Sequence, residues 1–293
     1  MTAIIPKKDA SLPGIAGPVP RARGRLLLPM LRTRSGVVGA AILAAWVIIA
    51  LTAPLWTQNP LSTDALATLR APSAEHWFGT DSLGRDVFAR VMTGSSTALI
   101  IGPAATALAM AGGIILGGLA GYLGGVADEI IMRVMDFLLA FPALIVAIIL
   151  LGLFRSDMAT LILLLAIFFI PLVARTVRGA VQAVKTQEYV EAARLRGEST
   201  PYILLGEILP NISGTLVVET TVRLSSAIVT SASLSFIGLG VQPPTPDWGL
   251  TIATEAPYLT IAWWSALFPS LALASLVIGV ALLAEGMREG SER

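Results

Sequence analysis

Cysteine is absent from the 293 residues, and histidine occurs once, at His76. These two shortages exclude a disulfide framework, thiolate zinc sites and haem attachment through cysteine. Charge is scarce as well. Asp, Glu, Lys and Arg make up 13% of the chain, where a soluble domain carries about 25%. No G-x-x-x-x-G-K-[ST] string is present, so the loop that cradles nucleotide phosphates is missing. Neither a dinucleotide fingerprint, a nucleophile–base constellation nor a metal-ligand cluster stands out. What abounds is apolar: 55% hydrophobic residues and a mean hydropathy of +0.79. This composition predicts an all-α polytopic membrane protein.

Six spans are expected. Residues 1–35 read as a cytoplasmic basic tail, with Lys7, Lys8, Arg21, Arg23, Arg25, Arg32 and Arg34 against Asp9 alone. A signal peptide is the competing reading, but the apolar run that follows is too long for its core and lacks a clear cleavage site. Residues 36–56 form the first span, of about the 20 residues a bilayer demands. Residues 57–93 form an irregular external loop in which Asp81, Arg85 and Asp86 pair and cap the next helix. His76 with Asp81 and Asp86 is the sharpest metal reading available, and a solvated loop histidine is the blander one. Residues 94–285 hold the other five spans, and 286–293 a cytoplasmic tail.

Within these spans, Gly112-Gly113 and Gly117-Gly118 carry the small-xxx-small spacing that lets helices approach closely in lipid. Asp128 and Glu129 open the third span, with Arg133 and Asp136 as an i,i+3 pair and a kink at Phe141-Pro142. Arg155 to Asp157 forms a tight external turn. Pro171 lies inside the fourth span. Trp248, Tyr258, Trp263 and Trp264 read as an interfacial aromatic belt.

Two places carry candidate function. The first is Glu188 to Asn211, which is too polar for a bilayer. Acids early and Arg194 and Arg196 late suit a short helix, and Gly197 stops it. Thr200 as N-cap and Pro201 at the first position restart a second helix, which Pro210 ends. The second is Glu219 with Arg223, i and i+4 inside the fifth span, about 8 and 14 Å along it at 1.5 Å per residue. A charge at the bilayer centre costs about 3 kcal/mol, so such residues usually face a bundle interior or a pathway. Glu219 and Arg223 therefore read either as a polar wall of a substrate path or as a mutually satisfied structural pair.

Four separated motifs carry a resemblance. Glu191-Ala192-Ala193, then Gly197, then Leu209-Pro210 resembles the EAA loop of ABC importer permeases. His76-Trp77-Phe78-Gly79-Thr80-Asp81-Ser82-Leu83-Gly84-Arg85-Asp86 resembles a signature of the peptide/nickel branch, with a looser match at Trp77. Arg133 to Pro142, and Leu234 to Gly249 (LSFIGLGVQPPTPDWG), resemble two more. Over roughly residues 75–290 the chain looks like the second permease of a dipeptide or oligopeptide importer. Nickel and glutathione importers use similar permeases.

The resemblance implies a type I importer (MetI-like) permease fold in a bacterial inner membrane. It also implies a homologous permease as heterodimer partner, two cytoplasmic ABC ATPases and an external or periplasmic substrate-binding protein. ATP and Mg would sit on the ATPases, leaving no cofactor in this chain, no catalysis and no nucleic-acid partner. It assigns ATPase coupling to Glu191, Ala192, Ala193, Arg196, Gly197, Pro201, Leu209 and Pro210, with small Ala192 and Ala193 permitting close approach.

Charge tests the topology independently. With both termini inside, Arg70, Arg85, Arg90 and Arg155 fall outside and Arg223 within the membrane. Every other Lys and Arg falls on the cytoplasmic side, as the positive-inside rule expects. Two other classes compete. A self-contained secondary transporter would show an internal repeat with broken helices, and none is convincing here. A membrane enzyme would need a polar cluster at one face, at which only Glu219 and Arg223 hint.

Overall fold

The computed structural model describes residues 33–153 and 157–291. The basic tail before residue 33 and most of the turn at Arg155 therefore lie outside the described residues. The described chain is helical. Its elements are α1 (Arg34–Trp56), α2 (Val87–Leu123), α3 (Gly125–Ala140), α4 (Ala143–Leu153), α5 (Met158–Val184), α6 (Glu188–Leu195), α7 (Thr200–Asn211), α8 (Ser213–Phe236), α9 (Trp248–Glu255) and α10 (Trp263–Ser291). Four helices, α1, α2, α5 and α10, are each long and apolar enough to cross a membrane. The pairs α3–α4 and α7–α8 bend by 83° and 77°, and counting each pair as one span gives the six expected.

Element boundaries differ from expectation where capping overrides hydropathy. Hydropathy places the start of the second span near residue 94, but α2 starts at Val87, because Asp86 Oδ1 accepts from the Ala89 N–H at 2.7 Å. Its 37 residues extend about 55 Å, beyond a hydrocarbon core of about 30 Å, so part of it lies outside that core. The Phe141-Pro142 kink is a full break between α3 and α4. Arg133 and Asp136 do not pair: Arg133 Nη2 lies 3.1 Å from Glu129 Oε1, and Arg175 Nη2 reaches Asp136 Oδ1 at 2.5 Å. The i,i+4 partner and the neighbouring helix outcompete the i,i+3 one.

The central contact is α2 against α5. Side chains on Gly113, Gly117 and Gly121 would run into Val173, the Ala174 carbonyl and Val181. The two backbones thus lie closer than any side chain allows, which is the packing that replaces the hydrophobic effect inside lipid. Towards the start of α5, Leu161, Leu164, Leu165 and Phe169 gather with Ile101, Ala105 and Ala109. Towards the end of α5, Val173, Val177 and Val181 gather with Met110 and the loop that follows.

The segment between α1 and α2 is fastened by polar contacts. Asp81 is fully buried; its Oδ1 accepts from the Leu83 and Arg85 N–H groups and its Oδ2 from Arg85 Nε at 2.6 Å. Asp86 pairs instead with His76 Nδ1 at 2.8 Å, so His76, Asp81 and Asp86 do not converge on a common point. Ser82 donates through N–H and Oγ to Glu255 at 3.1 and 2.7 Å. The aromatic belt needs correction: Trp248 and Trp264 are buried and donate to the Val91 and Thr80 carbonyls, at 2.8 and 3.1 Å. Each indole N–H faces a backbone acceptor, so only Trp263 and Tyr258 of the four stay exposed.

The glycine contact gives a direct test. Gly117→Ala should destabilise the folded protein by about 1–3 kcal/mol through overpacking, read as a lower thermal midpoint in detergent. Gly179→Ala, where an added Cβ meets open space, should leave that midpoint unchanged or raised.

Candidate functional site

The loop between α5 and α8 is built around α6. Glu188 and Glu191 lie in its first turn and Arg194 in its last, so the charges oppose the helix dipole as the sequence implies. The end is a Schellman motif. Gly197 sits at φ +77°; its N–H bonds to the Arg194 carbonyl at 2.9 Å, and the Glu198 N–H reaches back to Ala193 at 3.2 Å. An added Cβ at Gly197 would touch nothing, so the need for glycine is conformational rather than steric.

One face of α6 is seated. Val190 and Ala193 are fully buried with Val177, Val181, Ile203 and Ile208, at the end of the α2–α5 contact. The other face is free, with Glu191 and Ala192 exposed and Leu195 90% exposed. In the sequence Ala192 and Ala193 look alike, but they point opposite ways: Ala193 packs inward and Ala192 outward. Leu195 escapes sequence reasoning altogether, although it lies at i+4 from Glu191 and so shares its face. Burial also pushes the Tyr189 phenol up, helped by the Glu207 carboxylate, which keeps it neutral at physiological pH.

The second helix differs from expectation at both ends. Ser199, with extended backbone, takes the N-cap position; Thr200 is the first helical residue and Pro201 the second. Pro201 still costs nothing, because all N–H groups of a first turn lack intrahelical partners. Pro210 does not end the helix. Ile203–Ile208 adopts a π-helical turn, with the Leu209 N–H bonded to Leu204, and helical bonding resumes with the Ile212 N–H to Ile208 at 3.1 Å. The wider turn accommodates a residue that has no N–H and whose ring would clash with the carbonyl one turn back. The sharp bend comes two residues later, at Ile212. Leu209 packs on the cluster at the end of α5 while Pro201 and Pro210 are exposed.

Arg196 joins the two helices. Its Nη2 donates to Glu207 Oε1 at 3.2 Å, and Nε lies 3.6 Å from Glu198 Oε1. The eight predicted loop residues thus form one rigid elbow, but not one surface: Ala193 and Leu209 hold it to the body, Arg196 and Gly197 shape it, and Glu191 and Ala192 face outward.

Glu219 and Arg223 lie on α8, away from this elbow. Arg223 Nε donates to Glu219 Oε1 at 2.8 Å, with side chains 16% and 10% exposed, and the guanidinium sits 5.8 Å from the Phe169 ring centre of α5. Each charge therefore has its partner within one helix. Removing one partner leaves an uncompensated buried charge. Glu219→Ala should cost about 3–5 kcal/mol, and Glu219→Leu combined with Arg223→Leu should cost less than either single change, as read by the thermal midpoint of the purified protein.

Comparison with known proteins agrees with this architecture. Residues 113–293 match the family model described as binding-protein-dependent transport system inner membrane component. The chain is 36% identical over 271 residues to a probable D,D-dipeptide transport system permease protein of Escherichia coli K12, covering 92% of this chain and 91% of that one. It is 34% identical over 259 residues to the dipeptide transport system permease protein of Alkalihalophilus pseudofirmus, covering 88% and 85%. It is 42% identical over 236 residues to the glutathione transport system permease protein of Pectobacterium atrosepticum, covering 80% and 78%.

Proposed function

The chain belongs to the family of binding-protein-dependent transport system inner membrane components, and on that premise we propose that it is one permease of an ATP-driven importer of di- and oligopeptides. In this reading it pairs with a homologous permease to enclose the pathway. Two cytoplasmic ATPases hold ATP and Mg, and an external binding protein delivers the peptide. The chain itself performs no catalysis. Both termini and α6 lie in the cytoplasm.

The observation that carries the reading is the outward face of α6. A leucine left 90% exposed beside Glu191 and Ala192 on a polar loop is a surface shaped for a protein partner, since desolvating one large apolar side chain stabilises by about 1.5–3 kcal/mol. The same helix is rigidly seated through Val190 and Ala193 on the α2–α5 contact and braced by Arg196 to Glu207. A push on this face therefore reaches the transmembrane helices instead of being absorbed by the loop. The pathway would alternate because the ATPases grip the elbow more tightly in one arrangement than in the other; only such a difference shifts the equilibrium.

Glutathione, itself a small peptide, is the second substrate reading, favoured by the 42% identity to a glutathione system permease. Uptake of labelled dipeptides and of glutathione by the assembled transporter separates the two.

Two tests follow from the elbow. Glu191→Arg should lower ATP-dependent peptide uptake at least tenfold, with unchanged amounts of protein in the membrane, because a reversed charge at an interface costs several kcal/mol. Gly197→Pro should do the same, since proline can neither adopt φ +77° nor donate the N–H bond to Arg194. Wild-type uptake by either variant would reject coupling through α6. The absence of cysteine permits a clean sidedness test: a single cysteine at Glu198 should react with an impermeant maleimide only after cells are opened.

A further inference from the structure

A cavity of about 420 Å³ opens where the inner ends of α2 and α5 meet α6, lined by Tyr122, Leu123, Lys185, Thr186 and Arg194. Its charge is unbalanced. Arg178 takes both oxygens of Asp128, a carboxylate that feels the Lys185 charge, and neither Lys185 nor Arg194 makes a salt bridge with any described residue. Lys185 Nζ donates to the Gly121 carbonyl at 2.9 Å, which leaves two of its three N–H donors unused. Arg194 lies 4.9 Å from the Tyr122 ring centre and donates through Nε to the Tyr122 hydroxyl at 3.2 Å. That contact fixes the guanidinium plane while its two terminal nitrogens remain available. Tyr122 and Thr186 add hydroxyls that can donate.

We propose that this cavity binds the phosphate headgroup of an anionic phospholipid from the cytoplasmic leaflet. Two cations and two hydroxyls converging on one space match the several oxygens and single negative charge of a phosphodiester. Placement selects a lipid over a soluble anion. Leu123 and Val126, immediately beside the cavity at the α2–α3 turn, are 54% and 73% exposed, an apolar shelf that an acyl chain would cover. Basic pockets between transmembrane helices on the cytoplasmic side are suited to such headgroups. The lipid would tie α6 to the ends of α2 and α5 from the membrane side, leaving Glu191, Ala192 and Leu195 free. The inference takes the cytoplasmic placement of α6 from the function proposed above. Lipid retention is read without transport or sidedness, so the two can fail separately.

The test uses the assembled transporter, purified with its partner subunits and exchanged into mixed bicelles of dioleoylphosphatidylglycerol and dioleoylphosphatidylcholine. Native mass spectrometry then measures which lipid stays bound. Phosphatidylglycerol should be retained preferentially. Lys185→Gln with Arg194→Gln should reduce that retention about tenfold or more, the effect of two charges near a headgroup, whereas Lys185→Arg should preserve it. The single substitution Lys185→Gln, read in the same way, serves if the double variant does not assemble. Equal retention of both lipids, or retention unchanged in Lys185→Gln, would overturn the proposal. So would full displacement of the lipid by inorganic phosphate, which would reassign the cavity to a soluble anion. Carbodiimide cross-linking of Lys185 to an ATPase carboxylate would equally overturn it, because the cavity would then be filled by protein.

Discussion

The direct contact of backbone with backbone between α2 and α5 is the constraint on which the remaining structure depends. In lipid there is no hydrophobic gain in bringing two apolar helices together, so association relies on packing and close approach. Gly113, Gly117 and Gly121 supply that approach along one face of α2, against Val173, Ala174 and the turn from Arg178 to Val181. Because this seam continues to the end of both helices nearest α6, Val177 and Val181 are packed where α6 rests. The seat for Val190 and Ala193 is thus a consequence of three missing side chains on another helix.

The elbow extends outward from that seat. Its parts contribute in different ways. The Schellman turn at Gly197 sets the angle between α6 and α7, the Arg196–Glu207 pair resists its opening, and the π turn before Pro210 lets α7 continue to the bend at Ile212. Exposed ion pairs stabilise by less than about 1 kcal/mol each, so the stiffness comes mainly from the buried cluster beneath, with the pair fixing direction. The same corner carries the basic cavity of Lys185 and Arg194. One small region therefore presents two unlike faces, one apolar and acidic, the other cationic.

At the opposite end the molecule is closed by polar contacts rather than by packing in lipid. Asp81, Glu255, Trp248 and Trp264 are buried there with every strong donor and acceptor matched locally. Burial without partners would cost each group several kcal/mol. Residues far apart in the chain, such as Ser82 and Glu255, supply those partners.

Much of this architecture is legible in the chain alone. The apolar composition, the shortage of charge and the run of basic residues on alternate segments define a polytopic helical membrane protein, because a bilayer admits few alternatives. Gly197 as a helix stop and the glycine pairs of the second span can be read directly, since their effects are local or periodic. Pairing cannot. Arg133 finds Glu129, Asp136 finds Arg175, Trp248 and Trp264 turn inward, and Pro210 is accommodated by a π turn. Each outcome is set by which backbone or side chain happens to lie alongside. Leu195 and the division of Ala192 from Ala193 are hidden for the same reason: a sequence shows that a helix has two faces, but only the packed partner, here the end of the α2–α5 seam, decides which of them is buried.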